Sequence, residues 1–266
     1  MPRWAVMWTL AFVIYCGCKW LTWWRAPIRG VPLWRHAGYL LAWPGLDAAA
    51  FLNPDAASAG AAPSPAEWIF ACVKLALGVA LVFGGARLVS PAQAYLVGWV
   101  GMIGLVFVLH FGIFHLLSCG WRSVGVDARP LMNWPVRSVS VSEFWGRRWN
   151  TAFRDLTHRF LFRPLAARVG PRRAILVGFV FSGLVHDLVI SVPAGGGYGG
   201  PSLFFAVQGT AMLVERSALG RSLGLGARRT GWLFTMVVLL IPASCLFHAP
   251  FVERIIVPFL HAMRAI

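Results

Sequence analysis

The chain has 266 residues, 58% hydrophobic and only 12% charged, with a mean hydropathy of +0.68. Soluble domains carry about 25% charged residues, so a soluble fold of ordinary composition is excluded. The formal charge is +15, and all but Lys19 and Lys74 of the 24 basic residues are arginine; these arginines gather between apolar segments, where they orient membrane spans and meet anionic lipid, so no nucleic-acid partner is expected.

An α-helix needs about 20 apolar residues to cross ~30 Å of hydrocarbon. By that measure residues 4–21, 68–88, 95–117, 174–192, 203–219 and 232–247 read as spans. The first reads as a retained helix rather than a cleaved signal, because Lys19 and the bulky Trp20, Trp23 and Trp24 replace a small-residue cleavage site. Residues 34–52 are interrupted by His36, Pro44, Gly45 and Asp47 and read as a re-entrant or interfacial element, extending to 55. With that element not crossing, Arg25, Arg29 and Arg35, the arginines of 122–173 and those of 216–229 fall on one side, the cytoplasm. Loops 89–94 and 193–201 face the other side, as does the N-terminus.

Residues 56–65, with two prolines and many small side chains, form a flexible connector. Segment 120–173 is basic and aromatic, too charged to cross. Within it Ser140 and Glu143 have capping-box spacing. A helix starting there puts Trp145, Trp149, Phe153, Leu156 and Phe160 on one face and most arginines off it, as in an amphipathic helix at the cytoplasmic interface. Trp145 and Trp149 read as interface anchors. Residues 174–247 supply the C-terminal spans, and 250–266 adds a short interfacial helix. The fold class is all-α: a polytopic transmembrane protein of about six to eight membrane helices with an interfacial amphipathic helix, in a single membrane domain, 1–266.

Cys16, Cys18, Cys72, Cys119 and Cys245 lie in or beside apolar segments, without the paired spacing of a zinc site, so no metal is expected. His110 and His115 lie five apart in one span and share no face. His186 and Asp187 sit about 12 residues into the span at 174–192, where an ionisable pair marks a functional site by default. The residues alone leave His186 open between a satisfied core histidine and a base, Asn150 between a surface polar group and a site residue, and Arg147 and Arg148 between topogenic charges and phosphate ligands. Asp187, about 100° around the helix from His186, reads as a packing or hydrogen-bonding residue.

The motifs SEFWGRRWN (142–150) and SGLVHD (182–187) together resemble the membrane-bound O-acyltransferase superfamily, in particular its wax-synthase-like branch; WPGLD (43–47) is similar to a recurring element of such chains. The resemblance covers residues 43–210. It implies transfer of an acyl group from acyl-CoA, a co-substrate rather than a cofactor, to a long-chain alcohol or other lipid acceptor, with a sterol, a glycerolipid or a glycan as the alternative acceptors, and with no cofactor. His186 would be the catalytic base and Asn150 its active-site partner, and Arg147, Arg148 and Trp149 would bind substrate. The chain is short beside that superfamily, which leaves room for a homo-oligomer whose second subunit completes the acceptor tunnel. The heavy Ala, Gly and Arg usage fits a bacterial inner membrane. A small transporter or channel lined by His186 and Asp187, and an inactive lipid-binding relative, stand as alternatives.

Overall fold

The computed structural model describes residues 1–27, 30–54 and 61–266. Arg29, counted above among the cytoplasmic charges, and the first half of the connector expected at 56–65 lie outside the described residues. Among the described residues the chain is helical without strands. Contacts divide it into two units, one of Phe12–Met132 with Leu260–Ile266 and one of Met1–Ala11 with Asn133–Phe259.

The first unit holds most of helix α1 (Arg3–Trp24), then α2 (Leu33–Ala42), α3 (Ala48–Leu52), α4 (Pro65–Leu88) and α5 (Pro91–Ser123). Ser64 caps α4, accepting the Glu67 amide at 3.2 Å, with Pro65 at the first helical position and Glu67 near the positive helix end. Helices α4 and α5 touch through glycine. A Cβ on Gly78 would lie 2.5 Å from the Val108 nitrogen, and one on Gly112 would lie 2.9 Å from the Leu75 Cα. Small residues let backbones approach closely where lipid supplies no hydrophobic drive between helices.

The break between α2 and α3 is the Trp43-Pro44-Gly45-Leu46-Asp47 motif, and a buried lysine organises it. Lys19 Nζ donates to the carbonyls of Trp43 (2.7 Å) and Gly45 (2.5 Å) and lies 3.4 Å above the Tyr39 ring. Asp47 caps α3 by accepting the Ala50 amide at 3.1 Å. At ~1.5 Å per residue, neither the ten residues of α2 nor the five of α3 can cross a bilayer.

At one end of α4 and α5, Glu67 accepts hydrogen bonds from Arg122 and from His115 Nε2 (2.9 Å), and Lys74 Nζ donates to His115 Nδ1 (2.6 Å). The carboxylate, imidazole and the Cys119 sulfur lie within 4.8 Å of one another. Metal-bound histidines usually donate their second nitrogen to an acceptor. Here that nitrogen meets an ammonium, and Arg122 already holds the carboxylate, so the cluster reads as an ion-pair network.

The second unit holds α6 (Pro171–Ala194), α7 (Gly200–Glu215) and α8 (Arg228–Leu246). Among the described residues five helices are long and apolar enough to cross a membrane: α1, α4, α5, α6 and α8. The bounds of the sixth span, expected at 203–219, are corrected. Helix α7 has 16 residues, about 24 Å, and stops at Glu215, where Ser217 opens a new helix, Ala218–Ser222, by accepting the Gly220 amide at 3.0 Å. What α7 lacks in length it has in burial: Phe204, Phe205, Gln208, Ala211, Met212 and Glu215 are all buried. It lies so close to α6 that a Cβ on Gly183 would come 2.6 Å from the Ser202 Cα.

The continuous amphipathic helix expected from Ser140 is also corrected. Ser140 does accept the Glu143 amide (2.9 Å), but the Glu143 carboxylate reaches the Val139 amide (2.8 Å) rather than that of Ser140. After Val141–Glu143 the turn widens over Phe144–Arg148, and the chain then breaks. Trp149 is extended and Asn150 takes a left-handed conformation (φ 44°, ψ 62°), from which helices Thr151–Thr157 and Arg163–Val169 restart. A positive φ is easiest for Asn among residues with a Cβ. The break divides the predicted aromatic stripe, so Trp145 and Phe153 do not share one helix face.

Candidate active site

His186 ends the regular part of α6, and hydrogen bonding widens to a π-turn over Asp187–Ser191 directly after it. Such turns are frequent at functional sites. The imidazole Nδ1 lies 2.7 Å from the Ser182 carbonyl. A carbonyl only accepts, so Nδ1 carries the proton and Nε2 of the neutral ring is left as the basic nitrogen. The ring packs on Phe205, 4.4 Å between centroids. One side chain of α7 thus fixes the plane of the imidazole and one carbonyl of α6 fixes its tautomer.

Asp187 is committed elsewhere. Its Oδ1 accepts from Ser191 Oγ (2.8 Å) and the Gly199 amide (2.9 Å), and its Oδ2 from the Ser202 amide (3.1 Å) and Ser202 Oγ (2.5 Å). The carboxylate ties the α6–α7 loop to the end of α6, which is the hydrogen-bonding role read from its helix angle.

The aromatic and arginine-rich motif forms a single tight turn against α7. Arg148 pairs with Glu143 (2.6 Å) and donates to the Asn133 carbonyl (3.2 Å). Burial pushes the Glu143 carboxyl up, but the Val139 amide and the Arg148 guanidinium outweigh it and hold the group below the usual carboxylate range. Arg147 is exposed. Trp149 stacks on Phe144 within the motif, 5.7 Å between centroids. Asn150 closes the turn.

The motif residue that shares a neighbour with His186 is Trp145. Its ring lies 5.6 Å from Phe205 and 5.8 Å from Phe179, and its Nε1 donates to the fully buried Gln208 Oε1 at 3.3 Å. This indole therefore points into the helix packing, which corrects its reading as an interface anchor. Gln208 in turn donates to the Val238 carbonyl at 2.8 Å. Gln208, Phe205 and Glu215 were not singled out from sequence. The available signal was an uncharged amide and a carboxylate inside an otherwise apolar helix, each costly unless paired.

Comparison with known proteins converges on the same stretch. The model of the membrane bound O-acyl transferase family matches residues 128–207, which contain both motifs. A long-chain-alcohol O-fatty-acyltransferase of Simmondsia chinensis is 35% identical over 74 residues, 25% of this chain and 21% of that protein. The Arabidopsis thaliana protein named probable long-chain-alcohol O-fatty-acyltransferase 7 is 29% identical over 144 residues, 47% of this chain and 40% of its own. An acyl-CoA–sterol O-acyltransferase 1 of Arabidopsis thaliana is 30% identical over 71 residues, 24% of this chain and 21% of its own. The matches thus span well under half the length of these relatives. No solved structure matches. Family match, relatives and paired motifs all support the membrane-bound O-acyltransferase superfamily, in its wax-synthase-like branch, as the family this chain resembles.

Proposed function

We propose that the chain transfers an acyl group from acyl-CoA to a long-chain alcohol, with His186 as general base. The observation that carries this reading is the Nδ1 hydrogen bond of His186 to the Ser182 carbonyl, which turns a basic Nε2 away from its own helix backbone. In the reaction the alcohol oxygen attacks the thioester carbon as Nε2 takes the hydroxyl proton. The carbon–sulfur bond breaks, the proton passes to the departing thiolate, and ester and coenzyme A thiol leave. Proton removal of this kind contributes about 10²- to 10⁴-fold. Asn150 supplies an amide donor for the oxyanion that develops on the thioester carbonyl, and the exposed guanidinium of Arg147 is suited to coenzyme A phosphates. No cofactor beyond the acyl-CoA co-substrate enters this chemistry.

A lipophilic acceptor is favoured because each buried methylene contributes about 0.8 kcal/mol, whereas a sugar would have to shed its hydration. The names of the Simmondsia and Arabidopsis relatives support the same acceptor class. Engagement of both Asp187 oxygens by Ser191, Gly199 and Ser202 argues against the transporter reading, which needs that carboxylate on an open path. We propose a bacterial cytoplasmic membrane as its location, a reading with which the heavy Ala, Gly and Arg usage is compatible.

The test is acyl transfer from radiolabelled acyl-CoA by purified protein in detergent, offered hexadecanol, a sterol, a diacylglycerol and a polysaccharide in competition. Hexadecanol is expected to be esterified in preference, and His186→Ala to lose about 10²- to 10⁴-fold in kcat. Preferential transfer to the polysaccharide would overturn the acceptor class, and full activity of His186→Ala would overturn the base.

A further inference from the structure

Helix α7 touches the SEFWGRRWN turn at both its start and its middle, and touches His186 as well. Buried Glu215 accepts the backbone amide of Ser142, the first residue of the turn, at 2.9 Å and that of Val141 just before it at 2.7 Å. These amides open the Val141–Glu143 helix and have no partner within it. Seven residues earlier, on the same face of α7, Gln208 accepts from the Trp145 indole at 3.3 Å. Three residues earlier again, Phe205 lies against both the Trp145 ring (5.6 Å) and the His186 ring (4.4 Å). The three side chains form one stripe, and the two motifs meet it from different elements.

A carboxylate and an amide buried in an apolar helix would be poorly tolerated without such partners. Both spend their hydrogen bonds on alignment rather than on solvent: Gln208 is fully buried and bridges the Trp145 indole to the Val238 carbonyl of α8. An apolar residue at either position would fill the space, yet would leave the turn free to slide along α7.

We propose that Gln208 and Glu215 are positioning residues that set the register of the SEFWGRRWN turn against His186, through Trp145 and through the Val141 and Ser142 amides. The proposal rests on the acyltransferase reading above for its effect on rate, but its structural content does not. Neither residue contacts the reacting atoms in this account. They act by holding the turn that ends in Asn150 at one place along the helix whose Phe205 carries the imidazole.

The experiment pairs kinetics with proteolysis of the full chain in detergent. Trp145→Phe keeps the ring against Phe179 and Phe205 but removes the indole donor, and Gln208→Leu removes its acceptor. Each is expected to lower kcat about tenfold with the acyl-CoA KM unchanged, and the double variant to be no slower than the slower single one. Glu215→Ala should behave likewise, and Glu215→Gln, which keeps one acceptor oxygen where the carboxylate has two, should recover part of the loss. In parallel, tryptic cleavage of the bond after the exposed Arg147, followed by mass spectrometry, should accelerate in Gln208→Leu and Glu215→Ala as the turn loosens. Additive losses in the double variant, or a change confined to KM, would overturn the proposal. If the unaltered protein transfers to no acceptor, the acyltransferase reading falls alone. Proteolysis then decides, faster cleavage upholding the alignment role and unchanged cleavage overturning it.

Discussion

The imidazole of His248 lies in the space that a side chain on Gly197 would need. A Cβ on Gly197 would come within 2.3 Å of the ring atoms Cγ, Cδ2 and Nδ1, and Gly197 itself has φ +73°. The glycine therefore serves twice, as a turn residue in the left-handed region and as the floor on which the ring rests. Gly197→Ala is expected to destabilise the protein by about 1–2 kcal/mol through backbone strain alone, and by more through the collision. Thermal unfolding in detergent reads this directly; an unchanged midpoint would mean that the loop reorganises freely.

The same histidine supplies a pH dependence. His248 Nδ1 accepts the Phe251 amide (3.1 Å), so in the neutral ring Nε2 carries the proton and donates to Ser191 Oγ (3.1 Å), which donates onward to Asp187 (2.8 Å). Burial lowers the His248 pKa below the ordinary imidazole value, against the pull of Asp187. Protonation would also cost the Phe251 hydrogen bond. With the folded pKa below the unfolded one of about 6.5, the unfolded chain binds the proton first. Stability is thus retained above pH ~6.5 and lost as the pH falls from there toward the folded value. His248→Asn, which keeps a capping acceptor but no titrating group, should flatten this part of a stability–pH profile. A slope unchanged in that variant would assign the dependence to another group.

The left-handed backbone gives Asn150 a conformational reason to be asparagine, the proposed oxyanion contact would give it a chemical one, and two substitutions separate them. Its φ of 44° restarts the helix at Thr151, so Asn150→Ala would damage backbone and side chain together. Asn150→Gly tolerates the left-handed backbone and removes only the amide. The expected result is a protein of near-normal thermal stability whose kcat falls by about 10²- to 10³-fold, the range for losing one oxyanion donor. If Asn150→Gly transfers at the normal rate while Asn150→Ala unfolds, the residue is there for the turn alone.

Much of this organisation was legible in the sequence, for physical reasons that differ by element. Apolar length announced α1, α4, α5, α6 and α8, because a helix must match the bilayer whatever its neighbours do. Ser140 announced its cap, a local interaction that spacing encodes. By contrast the end of α7 was misplaced by carrying the span past Arg216 to Leu219; the helix stops at Glu215, which is held by Val141 and Ser142, 73 residues and more away, and Ser217 caps the next helix. The break at Asn150 was missed for a related reason. Helical spacing of Trp145, Trp149 and Phe153 fits one stripe, but Trp145 is drawn inward by Gln208 and Phe205, and no pattern local to the motif contains those partners.

Arg147 and Arg148 are adjacent in sequence and equivalent in chemistry, yet the fold separates their duties. Arg148 is bound to Glu143 at 2.6 Å and to the Asn133 carbonyl at 3.2 Å, so its guanidinium is already part of the turn. Arg147 presents an exposed side chain from the same turn. Phosphate recognition by arginine weakens as salt screens it, over a Debye length of about 8 Å at physiological ionic strength. Arg147→Ala is therefore expected to raise the KM for acyl-CoA several-fold, to reduce the salt dependence of that KM, and to leave thermal stability and kcat near their normal values. Arg148→Ala should lower thermal stability instead, because Glu143 would lose the partner that helps hold its carboxyl ionised, and the Asn133 carbonyl would lose its side-chain donor. Steady-state kinetics at two salt concentrations, with melting curves for both variants, checks the assignment. Equal effects of the two substitutions on the acyl-CoA KM would mean that the turn as a whole, and not the free guanidinium, meets the phosphates.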